Sequence, residues 1–271
     1  MRLAAIVLLL AARTAVADPV TDFAAKWPRL SVALHATGAE AVLLQGTTAC
    51  TRFDDRMTGP PIGDTTPAAT SPDQTHLVVI TTLELDGSSG KTLGLPAGWG
   101  TVAVGFDGPT GAIWARELTA FNNCNPNGVV FDWSDDGRRV FAGTDSGHGN
   151  RITLLDVAAH VRRMDAFSGA DDAASPGLEH VAWKPWFSGY PFADQPVNGD
   201  ILYIDDHEVW GSSDPKLATL VTQIAWLSDS ALEFCGSTPK RPDVRFHVTI
   251  GKGTPRVTRS GRCAVPPSPR P

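Results

Sequence analysis

No Cys-x-x-Cys pair, no Gly-x-Ser-x-Gly elbow, no stripe of basic residues and, past the first dozen positions, no long apolar run occurs in these 271 residues. The 4 cysteines, Cys50, Cys124, Cys235 and Cys263, are too scattered for a paired zinc or thiol-redox motif. Without a Ser-centred elbow at a strand-to-helix turn, serine hydrolase chemistry of that type has no motif here. Helical periodicity is scarce: Asp22 to Leu30 and Asp156 to Phe167 read as short helices, and Gly and Pro leave little room elsewhere. No cofactor motif is present, and no cofactor is expected.

The one apolar run, Leu3 to Ala12, is followed by the small-residue triplet Ala15-Val16-Ala17 before Asp18-Pro19. A spanning helix needs roughly 20 apolar residues, so this shorter run predicts a signal peptide over residues 1–17 and export to the periplasm or beyond. No stable membrane insertion is expected once it is cleaved. Without it the chain keeps 21 of its 23 basic side chains against 29 acidic ones, a net charge of −8. Such a surface repels nucleic acid, so the expected partner is a protein or a small molecule. Export also makes two disulfides the expectation. Of three possible pairings, Cys235 with Cys263 and Cys50 with Cys124 join neighbouring stretches.

Between the Gly and Pro punctuation lie short apolar runs of strand length. They include Ala41 to Gln45, Leu77 to Thr82, Thr101 to Phe106, Ala112 to Leu118, Val129 to Trp133, Arg139 to Ala142, Ile152 to Asp156, His180 to Trp183, Ile201 to Ile204, Gln223 to Leu227, Ala231 to Cys235 and Val244 to Ile250. The chain is therefore expected to be all-β. Its most regular part is Val129 to Asp156, in which strand, Ser-Asp-Asp-Gly turn, strand, Gly-rich loop and strand follow one another. The same turn begins at Ser71 and Ser228, each followed by a strand, and a degenerate fourth copy is read at Ala182-Trp183-Lys184-Pro185. Ser and Asp side chains bond turn amides, Gly accepts a positive φ, and Trp buries a large area between sheets.

This segment resembles the repeat of TolB-like and WD-like β-propellers, whose blades carry a Trp-Ser-Pro-Asp-Gly turn, a strand, and a later strand ending in Asp. Trp133, Ser134, Asp136, Gly137, Val140, Phe141, Ile152, Leu154 and Asp156 match, while Asp135 stands where the family usually has Pro. The resemblance implies a β-propeller; at roughly 45 residues per blade it has about five to six blades. It occupies residues 18–264 as a single domain, with 265–271 a Pro-rich tail. The alternative is an irregular β-sandwich.

The acidic cluster Asp205-Asp206-His207-Glu208 offers metal or acid-base chemistry, but its flanks, Ile201 to Ile204 and Glu208 to Trp210, read as two strands of a hairpin. Successive strand residues point to opposite faces, so the four cannot converge on one ion, and no metal site is expected. Asn123, Asn125 and Asn127 mimic a calcium loop without its charges or closing Glu, and read as a turn-rich loop. Trp186, Phe187, Tyr190 and Phe192 in the insertion 186–199 are the expected ligand-binding residues, since aromatic rings on loops make recognition surfaces; a loop folded onto its own sheet reads the same in sequence. No catalytic residue is assigned. The first functional expectation is a non-catalytic binding or scaffolding module. The second is a secreted propeller hydrolase drawing on Asp145, His148, Asp206 and His207, and the third a structural envelope protein.

Overall fold

The computed structural model describes residues 19–37, 67–85, 91, 93–95, 98–118, 129–144, 150–168, 172–185, 201–211, 220–238 and 241–263. Two short helices come first, α1 (Pro19–Ala24) and α2 (Pro28–Thr37). Where the periodicity gave one helix from Asp22 to Leu30, Pro28 starts a second one, its missing N–H costing nothing in a first turn. Sixteen strands follow among the described residues. They form four antiparallel sheets, each a four-stranded meander in chain order.

The first sheet holds β1 (Ala68–Thr70), β2 (His76–Leu85), β3 (Gly98–Asp107) and β4 (Ile113–Glu117); the second holds β5 (Val129–Trp133), β6 (Arg139–Thr144), β7 (Asn150–Asp156) and β8 (Val161–Ser168). The third holds β9 (Ala173–Ala174), β10 (Val181–Trp183), β11 (Leu202–Ile204) and β12 (His207–Trp210). The fourth holds β13 (Leu220–Ser228), β14 (Ala231–Thr238), β15 (Arg241–Thr249) and β16 (Arg256–Arg262). All-β architecture is thus as expected, with four sheets described and no closed sheet among them.

The apolar pattern of each strand records how many of its faces are covered. In β2, Leu77 and Val79 face the helices while Val78 and Ile80 face the second sheet, so the run is continuously apolar. In the second sheet, Val140, Ala142 and Leu155 pack back on the first sheet, whereas Ile152, Leu154 and Met164 pack forward with Leu178 and Val181 of the third. Ala182, Leu202 and Ile204 then meet Val221, Leu232, Phe234 and Val248 of the fourth. There β14 alternates: Leu232 and Phe234 are core, while Glu233 between them faces away. The sheets therefore stack face to face in chain order, helices on one end, a polar sheet face on the other. Each fully buried Leu, Ile or Val contributes roughly 1.5–3 kcal/mol.

Identical turns hold the stack at one end. The amide of Ser71 donates to the His76 carbonyl (2.9 Å) and that of Gln74 to the Ser71 carbonyl (2.8 Å); the pairs Ser134–Arg139 (3.0 Å) and Gly137–Ser134 (2.8 Å) repeat this, as do Ser175–His180 (2.8 Å) and Leu178–Ser175 (2.9 Å). Gln74, Gly137 and Leu178 share a positive φ of 61°, 67° and 53°. The third copy is therefore Ser175-Pro176-Gly177, not Ala182 to Pro185, and Trp183 lies on a second strand whereas Trp133 and Trp226 lie on first strands. The register shows why: Ala182 and Trp183 are already paired with β11, one strand beyond the turn. A second correction concerns Asp156 to Phe167, which is the end of β7, a turn and β8 rather than a helix. Met164, Ala166 and Ser168 are buried at alternate positions there, a period of two.

Cys235 and Cys263 are bonded, as expected. Residues 1–17, Cys50, Cys124, Asn123 to Asn127, the strand expected at Ala41 to Gln45 and the tail 265–271 lie outside the described residues. Among the described residues no helix is long and apolar enough to cross a membrane.

Candidate functional site

Successive turns touch. A Cβ on Gly137 would stand 3.3 Å from Asp73 Oδ1, Arg139 Nη1 donates to the Gly177 carbonyl (2.9 Å), and the Gly177 amide donates to Asp229 Oδ1 (2.6 Å). Arg139 and Arg163 both pair with Glu179, at 2.5 and 3.6 Å. All four sheets therefore present the turn between their first and second strands at one common end. In a meander the turn between third and fourth strands lies at that end too.

Within the first two turns the carboxylate is committed to its own turn. Asp136 accepts from the Ser134 hydroxyl (2.7 Å) and the Arg138 amide (3.1 Å), which hold its pKa below the ordinary carboxylate value. For Asp73, burial pushes upward, but the Ser71 hydroxyl with the amide and hydroxyl of Thr75 outweighs it, so its pKa is also lowered. These are structural acids.

The repeat departs from itself at the end of the third strand. In the first two sheets that strand ends in Asp107 and Asp156, facing His76 and Arg139, and each Asp accepts an amide of its own turn: Thr110 at 3.0 Å and Ala159 at 2.9 Å. In the third sheet the turn shrinks to Asp205-Asp206, and Asp205 takes a left-handed φ of 51°. Its carboxylate swings to the strand beside it. Oδ2 lies 2.6 Å from His180 Nδ1 and Oδ1 accepts the Val181 amide at 3.0 Å. The Asp205 carbonyl accepts Trp183 Nε1 (2.7 Å), and Trp183 stacks on Tyr203 with centroids 4.9 Å apart.

From the fourth sheet, Trp226 lays its indole nearly parallel to the imidazole, centroids 6.3 Å apart and planes 14° apart, its own Nε1 tied to the Ala173 carbonyl at 2.8 Å. The side chains of His180 and Asp205 are 24% and 25% exposed, enough for solvent to reach them. A carboxylate on Nδ1 fixes the neutral tautomer that carries its proton there, leaving the Nε2 lone pair open. Nε2 has no hydrogen-bond partner among the described residues. The arrangement can accept a proton and stabilise the resulting imidazolium.

The hairpin expected around Asp205 to Glu208 is present, with Asp206, His207 and Glu208 exposed on it. His207 and Asp206 make no shared site: the cluster's chemistry falls to Asp205, turned inward onto His180. Among the described residues no three His, Cys, Asp or Glu side chains are grouped to hold a metal ion. Trp186, Phe187, Tyr190 and Phe192 lie outside the described residues, as do Asp145 and His148. Sequence reasoning missed His180. The signal was there, since aligning Ser175 with Ser134 sets His180 at the place of Arg139.

No protein-family model matches the chain, and no curated protein matches it. Solved structures do. The β-propeller domain of the Trilobed protease from Pyrococcus furiosus is 10% identical, with 72% of this chain and 57% of that one covered and a TM-score of 0.31. Pyrococcus horikoshii acylaminoacyl peptidase is 9% identical over 72% of this chain and 32% of that one, TM-score 0.30. A prolyl endopeptidase structure is 12% identical over 89% and 32%, TM-score 0.34. The chain spans from about a third to just over half the length of these proteins. The similarity extends to β-propeller domains; the finer TolB-like assignment acquires no family match. Against the expectation of a non-catalytic binding or scaffolding module, these three structures carry peptidase names.

Proposed function

We propose that this chain is an exported hydrolase in which His180, oriented by Asp205, acts as general base on an acyl substrate of the peptide or ester class. The four stacked meanders are read as consecutive blades of a β-propeller, supported by their chain-order packing and common turn. Residues 1–17 serve as the signal peptide, and the Cys235–Cys263 bond suits an oxidising compartment.

One observation carries the catalytic reading: in the third sheet alone of the first three, the Asp ending the third strand leaves its turn to hold an imidazole. Nε2 takes the proton of the attacking water or hydroxyl, and Asp205 stabilises the imidazolium and keeps the ring in place. The left-handed backbone at Asp205 belongs to the two-residue turn that aims its carboxylate at the neighbouring strand. Removing a general base costs roughly 100- to 10,000-fold in rate.

The test is hydrolysis of chromogenic peptide anilides and short acyl esters by the purified full chain. Turnover is expected, and it should fall by at least about 100-fold in His180→Ala with the fold intact by circular dichroism. Turnover unchanged in that variant would overturn the assignment.

A further inference from the structure

We infer that the outer edge of the fourth sheet, β16, is a docking edge for an acidic extended peptide, which adds to it as a further strand. Charge is segregated toward this edge. Residues 241–262 hold Arg241, Arg245, Lys252, Arg256, Arg259 and Arg262 against one acid, Asp243, a net +5 in a chain whose total is −6; everything else therefore carries −11. Arg245 is paired with Glu233 at 3.7 Å. Arg256, Arg259 and Arg262 are exposed on β16 and make no ion pair or hydrogen bond among the described residues.

Register shows how the guanidinium groups are presented. Among the described residues β16 is the terminal strand of its sheet, paired on one side only with β15, so the backbone groups of its other side have no strand partner there. Arg256 pairs with Thr249 on the outward face, and Arg259 with Phe246 on the opposite face. At roughly 3.3 Å per residue, about 10 Å separates successive arginines, and the register shift after Arg259 sets Arg262, opposite Val244, on the same face as Arg259, so one cation flanks the edge on the outward face and two on the other. A strand laid beside β16 would bring its side chains within about 5 Å of these arginines, alternately on each face.

The edge is also fixed in advance. Val257 is packed into the core behind it, and Cys263, next to Arg262, is bonded to Cys235 of β14 across the intervening strand. A preformed edge lowers the ordering cost of binding. Open backbone groups favour a peptide over a lipid surface or a polyanionic polymer, which would use the charges alone.

The experiment is fluorescence anisotropy with the full chain and a labelled peptide of about ten residues alternating Glu with Thr. Its Gln-for-Glu counterpart and a version N-methylated at alternate residues serve as controls. Saturable binding of the acidic peptide is expected, weakened at least about tenfold by either control and by raising salt. Each of Arg256→Gln, Arg259→Gln and Arg262→Gln should weaken it by roughly twofold to fivefold. Single substitutions at exposed sites leave the fold intact, which melting curves check. Absence of saturable binding would overturn the proposal. So would equal binding of the N-methylated peptide, of polyglutamate or of anionic phosphatidylglycerol vesicles to the acidic peptide, since charge alone would then explain the surface.

Discussion

Leu178 joins two demands that rarely fall on one residue, and substituting it should nearly erase the usual advantage of Ala over Gly. It occupies the third position after Ser175, with φ 53°, and is only 2% exposed, packed among Ile152, Leu154, Met164 and Val181. Leu178→Ala removes that packing and leaves a cavity, a loss of about 2.7–5 kcal/mol. Going on from Ala to Gly removes one further carbon, about 0.8 kcal/mol, and frees the unfolded backbone, about 0.5–1 kcal/mol. Against this, a left-handed backbone costs any residue with a Cβ about 1–2 kcal/mol, and Gly escapes that cost. The two sides nearly cancel, so Leu178→Gly and Leu178→Ala should lie within about 0.8 kcal/mol of each other. Leu154 is the control, a fully buried β7 residue packed in the same core cluster. There no strain is relieved, and Gly should fall below Ala by about 1.5 kcal/mol. Urea unfolding of the four variants reads these differences directly. A Gly penalty at Leu178 as large as that at Leu154 would refute the left-handed turn and, with it, the third copy of the repeat.

Gly105→Ala should destabilise strongly, by about 1–3 kcal/mol or more, because a Cβ there would stand 2.0 Å from the Trp114 ring; near-ultraviolet circular dichroism should register the displaced indole. Reducing the Cys235–Cys263 bond, with 28 residues of separation, should cost about 3.6 kcal/mol on loop entropy, seen as a lowered urea midpoint in dithiothreitol. Asp73 and Asp136 have folded-state pKa values below the ordinary one, so their stabilisation is complete above the ordinary carboxylate value and is lost as pH falls through the lowered folded values. Asp136→Asn should therefore flatten the acid limb of stability against pH, and an unchanged limb would show that the turn's hydrogen bonds do not select the carboxylate.

Much of the fold was written in local chemistry. Strands buried on both faces, such as β2, are uninterrupted apolar runs, and the Ser-x-Asp turns announce themselves by side chains that bond their own amides. What escaped was non-local or atypical. β8 reads Val-Arg-Arg-Met-Asp-Ala-Phe-Ser, where three charged residues and the exposed Val161 and Phe167 hide the alternation of Met164, Ala166 and Ser168. β16 has almost no apolar residues because an edge strand keeps its charges in water. The third turn was missed because Leu178 takes the place of Gly, tolerated only because its side chain is core. For the site, the acidic hairpin was legible while its partner was not: Asp205 and His180 are 25 positions apart, and their contact exists only once β10 and β11 pair.

The most direct test of the account is a double-mutant cycle on hydrolysis by the full chain, with His180→Ala, Asp205→Asn and both together. If Asp205 acts through the imidazole, the double variant should match His180→Ala to within about threefold, since a group that works through another has nothing left to contribute once that other is gone. Losses that multiply, or a wild-type chain that does not turn over acyl substrates at all, would contradict it.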